Sequence, residues 1–77
     1  MHGVNPQNGP LRPADLRALA ARYDVSMSEI SARRGVTPEA VIQALRADLT
    51  GRPVSQALLS SIRETIESIL QDREHAQ

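Results

Sequence analysis

Four arginines, Arg33, Arg34, Arg46 and Arg52, lie around a segment that also carries Thr37, Pro38, Glu39 and Gln43. A guanidinium presents a rigid fork of N–H donors that matches a phosphate or the edge of guanine. A glutamine amide can pair with adenine through two hydrogen bonds, and a carboxylate can accept from the cytosine amino group. The set suits the edges and backbone of duplex DNA. Chemistry of other kinds has little to stand on. His2 and His75 sit near the two ends without a carboxylate or thiol arranged around them. Glu64 and Glu67 are explained by a charged outer helix face. No Gly-rich phosphate loop, metal-ligand spacing or nucleophile–base pair is visible, so no enzyme activity, cofactor or metal is expected.

These side chains need a frame, and the stretch from Val25 to Arg46 supplies one. Ser26 with Glu29 three residues on is a capping box, which satisfies backbone N–H groups left over at a helix start. Val25 and Ile30 are placed to close over it as a hydrophobic staple. Gly35 ends that helix at a position suited to a left-handed backbone. Thr37 restarts a helix at once as its cap, with Pro38 first inside, where a missing N–H does no harm. Val36 and Val41 repeat the staple. Two capped helices joined by so short a turn must cross steeply. That is a helix-turn-helix, whose second helix, read here as 38–48, enters the DNA major groove.

The same cap recurs at Ser55, flanked by Val54 and Leu59, and opens a helix with Leu58, Leu59, Ile62, Ile66, Ile69 and Leu70 at helical period. Arg63 and Glu67 stand four apart on its outer side. Another helix starts at Pro13, with Leu16, Leu19, Ala20 and Tyr23 as its apolar stripe; Tyr23 is expected in the core with its hydroxyl at the edge. No alternating β-branched run competes. The expected fold is all-α: a small four-helix domain containing the helix-turn-helix, with helices near 13–23, 27–34, 38–48 and 56–71. Residues 1–12, rich in Gly, Pro and Asn, read as a disordered arm, 13–72 as the domain, and 73–77 as a frayed tail. Arg12 and the arm could reach into a minor groove, though simple disorder explains them as well.

With 77 residues and a single aromatic, the core must be modest and aliphatic. A small core favours self-association, and the broad stripe of the last helix suggests Leu59, Ile66, Ile69 and Leu70 as a homodimer surface. There is no cysteine, which excludes thiolate chemistry and fits a cytoplasmic location. No run has the length of a membrane span, so no membrane partner is expected. Formal net charge is zero, although Met1 to Arg52 holds seven Arg against five acids and the remainder two against four. Every basic residue is Arg; GC-rich codon usage gives the same composition. The basic half coincides with the candidate reading unit.

From Val25 to Leu70 the chain resembles the DNA-binding headpiece of the lactose-repressor family of bacterial regulators. The residues that carry the likeness are Val25-Ser26, Gly35-Val36-Thr37, Pro38 to Leu45, and Val54-Ser55 leading to Ile62 and Ile66. The resemblance implies base contacts from Pro38, Glu39 and Gln43, a phosphate contact from Thr37, and structural roles for Ile30, Val36, Val41 and Leu45. It implies double-stranded DNA as partner and transcription regulation, as in a repressor. Departures are visible. Pro38 has no side-chain donor, Glu39 repels phosphate unless it accepts from cytosine, and Ser31 takes the small position of the first helix. The following loop is longer, and Leu58 and Leu59 stand where a basic residue is usual. No hinge helix or sugar-binding domain accompanies the motif, so no small-molecule effector is expected.

Two functions follow. One is a dimeric, sequence-specific DNA-binding regulator that reads with helix 38–48 and clamps the backbone with Arg33, Arg34, Arg46 and Arg52. The other keeps the helix-turn-helix shape for a protein partner, such as polymerase, another regulator or a toxin. Neutral charge, Pro38 and Glu39 favour the second; the intact turn and flanking arginines favour the first.

Overall fold

The computed structural model describes residues 10–76, and within them every regular element is helical. The proposed arm falls mostly at residues 1–9, outside the described residues. The elements are α1 (Pro13–Arg22), α2 (Met27–Arg34), α3 (Pro38–Leu45), α4 (Ala47–Thr50) and α5 (Gln56–His75). The last helix is the spine, and α1, α2 and α3 all pack on it, with α2 and α3 also closely packed on each other.

Helix starts follow the local chemistry. The Glu29 N–H donates to Ser26 Oγ at 3.0 Å and the Ser26 N–H to Glu29 Oε1 at 3.3 Å, closing the capping box. Thr37 Oγ1 accepts from the Ala40 N–H at 3.3 Å, and Ser55 Oγ from the Leu58 N–H at 3.0 Å. Each occupies a donor that the first turn cannot use internally.

Helix ends depend more on the left-handed region. Gly35 has φ 72°, its N–H donates to the Ala32 carbonyl, and Val36 N–H reaches Ser31 at 3.0 Å. That pair of bonds is the Schellman closure. The chain uses it at α1 too, with Asp24 (φ 57°) in place of glycine and the Val25 N–H donating to Ala20 at 2.8 Å. Asp tolerates this conformation better than most residues. Tyr23, just before it, is exposed rather than in the core, because the turn swings it away as Val25 enters.

Four expected helices become five. Arg46 leaves helical geometry (φ −115°, ψ 13°), so the reading helix ends at Leu45 instead of residue 48, and α4 follows as a single turn. The apolar face of α3 is Val41, Ala44 and Leu45, all buried. Straight continuation would bring position 48 under that face, and position 48 is an aspartate. The break buries Ala47 instead and turns Asp48 out to Arg17.

At the other end, α5 runs to His75 rather than 71, and the tail from 73 is helical rather than frayed. Arg73 holds it, donating to the Tyr23 carbonyl at 2.7 Å, the Asp24 carbonyl at 3.0 Å and Glu29 Oε1 at 2.8 Å. Leu11 is tied as well: its N–H donates to Gln56 Oε1 and its carbonyl accepts from Gln56 Nε2, both at 2.7 Å.

The core joins Leu16, Ile30, Leu45, Leu59, Ile62 and Ile66 with smaller residues around them. The four residues expected at a homodimer surface, Leu59, Ile66, Ile69 and Leu70, belong to this core or pack against it. Leu59 and Ile66 are fully enclosed and Ile69 nearly so, because three helices wrap α5 and use the whole width of its stripe. Only Leu70 of the four keeps accessible surface.

Candidate nucleic-acid interface

At 100° per residue, α3 divides into two faces. Val41, Ala44 and Leu45 turn inward, while Glu39, Ile42, Gln43 and Arg46 share the outward arc and are exposed. Thr37 and Ala40 extend the exposed surface at its start, and Pro38 is half-buried beside them. Thr37 already uses a lone pair on the Ala40 N–H, so its hydroxyl proton is what it can offer a phosphate.

The outward arc has two different flanks. On one side Gln43 lines an open groove of about 320 Å³ with Arg52 and Ser55, between α3 and the start of α5. On the other, Ile42 and Arg46 line a groove of about 360 Å³ with Ala20, Ala21, Val25 and Met27. Arg46 and Arg52 are exposed and make no ion pair among the described residues. The structure therefore gathers Thr37, Pro38, Glu39, Gln43, Arg46 and Arg52 around one helix.

Arg33 and Arg34 are held differently. Arg33 Nη1 donates to Ser68 Oγ at 3.1 Å and pairs with Asp72 Oδ2 at 2.6 Å. Arg34 Nη1 donates to Ser61 Oγ. Both lie at the end of α2 and reach to α5, so the sequence-level grouping of four backbone clamps separates into two outward arginines and two bracing ones. The braces were invisible in the sequence because their partners lie 27 and 35 residues away.

Two further arginines fix the frame. Arg17 Nη1 donates to the Leu45 carbonyl at 2.6 Å and to Asp48 Oδ1 at 2.6 Å, with Nη2 on Oδ2 at 3.3 Å. That bond, above all, holds the Asp48 carboxyl below its usual range. Glu29 is lowered too, first by the donated Ser26 N–H and then by Arg73. Val36, expected as a structural position, is exposed, although it shares a shallow depression with Val41, Leu58 and Ile62. Ile42 joins the outward arc through its spacing, three residues after Glu39 and four before Arg46.

No group of three or more His, Cys, Asp or Glu that could hold a metal occurs among the described residues. No helix among them is long and apolar enough to cross a membrane. The chain matches no family model, no curated protein and no solved structure. Its functional reading rests on the residues themselves.

Proposed function

We infer that the chain is a DNA-binding regulator that presents the outward arc of α3 to the major groove. The observation that carries this reading is the exposed pair Glu39 and Gln43 on one short, capped helix, with Arg46 at its C-terminal cap and Arg52 beside it. Short polar heads on a projecting helix are what base-edge readout requires. Arg46 and Arg52 supply backbone contacts at the two flanks of the arc. The lactose-repressor resemblance supports the same helix, shortened to Pro38–Leu45.

The test is binding of the full chain to random-sequence duplex across a salt series. Affinity should fall linearly with salt on logarithmic axes, and Arg46→Ala or Arg52→Ala should each reduce the slope by about 1. Gln43→Ala should leave that non-specific affinity unchanged and flatten preference among selected sequences. A twofold-symmetric selected site would report two copies acting together, and an asymmetric site one.

A second reading has its own observation. Ile42 and Leu49 are large apolar side chains left on the surface, and net charge is zero. Absence of duplex binding at low salt would favour a helix-turn-helix-shaped protein-interaction module in place of a DNA reader.

A further inference from the structure

We propose that Ile42 is itself a base-reading residue, which packs on the C5-methyl group of a thymine in the major groove, so that the DNA site carries a preferred thymine at one position. The inference rests on α3 being a DNA-reading helix and adds to it an identity for one base pair.

A single exposed apolar residue is ordinary on a protein surface; the position of this one gives it meaning. Ile42 is 37 % exposed and does not belong to the core cluster, whereas its neighbours Val41 and Leu45 are almost fully enclosed. It lies one turn after Glu39 and one turn before Arg46, on the arc whose other members carry polar heads. A phosphate contact gains nothing from an isoleucine. Of the groups the major groove displays, the thymine methyl is the apolar one.

The surroundings fit a methyl group. Beside Ile42 the groove is lined by Ala20, Ala21, Val25, Met27 and Leu45, with Arg17 and Arg46 as its charged members. A methyl seated against Ile42 would exchange water for the apolar atoms that line this groove. Arg46 is then placed to hold the adjacent phosphate or a neighbouring guanine. Glu39, which repels phosphate, lies closer to the middle of the arc, where a cytosine amino group would satisfy it.

The experiment selects a preferred duplex with the full chain, then replaces its thymines one at a time by deoxyuridine. Deoxyuridine keeps the base pair and every groove donor and acceptor and lacks only the methyl. At one position the replacement should weaken wild-type binding about fourfold, the worth of one buried methyl-sized group. With Ile42→Ala that position should bind thymine and deoxyuridine alike. If no replacement weakens wild-type binding, or if the difference persists in Ile42→Ala, the inference is overturned while DNA reading by α3 stands. If the chain binds no duplex at low salt, the reading on which it rests fails first. The deoxyuridine series on the wild-type chain decides the matter even if Ile42→Ala folds poorly.

Discussion

The Arg17 guanidinium donates to the Leu45 carbonyl at 2.6 Å, at the residue where α3 stops. It also takes both carboxylate oxygens of Asp48, so one fork satisfies a carbonyl orphaned by the break and anchors the turn that follows. A lysine has the charge without the fork. Arg17→Ala should therefore lower the melting temperature, and Arg17→Lys should recover only part of the loss. A double-mutant cycle with Asp48→Ala should be non-additive. Thermal melts of the four proteins check this; additive losses would remove the brace from the account.

Stability should fall on the acid side. Glu29 and Asp48 are both held below their ordinary range, by hydrogen bonds from the Ser26 N–H and Arg17 respectively. In acid the unfolded chain binds protons at these positions before the folded chain does. Their contribution is complete above the ordinary carboxylate range, about 3.9 to 4.3, and disappears as pH falls through the lowered folded values. Denaturant titrations should show a stability plateau near neutrality and a decline below that range. Glu29→Gln with Asp48→Asn should make the decline shallower.

Gly35 sits at φ 72° with open space where a Cβ would be, so the backbone angle alone demands glycine there. Gly35→Ala should cost about 1 kcal/mol. For a domain of this size that lowers the melting temperature by about 4–8 °C. Gly35→Asn should cost less, since Asp24 shows that a residue of this shape sits in the left-handed region of this fold. Equal losses for Ala and Asn would point to a steric cause instead.

Ile66 is fully enclosed within one copy of the chain. Ile66→Ala should reduce unfolding free energy by about 2–5 kcal/mol through the cavity it leaves. The loss should be the same at low and high protein concentration, because the side chain supports the protomer. A concentration-dependent loss would restore the association surface that burial argues against.

What was legible in the sequence was local. Ser26 with Glu29, Gly35 before Thr37-Pro38, and Ser55 each announce a helix end through partners within a few residues, and each is found in that role. The break at Arg46 was half legible: Asp48 falls where the buried face of a continued helix would lie, but the partner that receives it, Arg17, stands 31 residues before it. The helical tail was not legible, because it depends on Arg73 reaching loop carbonyls about 50 residues away. The broad stripe of α5 was legible as apolar, but its division between core and partner was not. That depended on how many helices wrap it, a property of the assembled fold. The candidate site divides the same way: spacing placed Glu39, Gln43 and Arg46 on α3, but only packing separated Arg33 and Arg34 from the outward group.

The central claim is that the outward arc of α3 meets duplex DNA. Backbone amide NMR spectra of the full chain, titrated with a short selected duplex at low salt, test it most directly. Shifts should be concentrated from Thr37 to Arg46 and around Arg52, with the buried α5 residues Leu59 and Ile66 little changed. Shifts confined to α5 or to the exposed face of α1, with α3 silent, would contradict it.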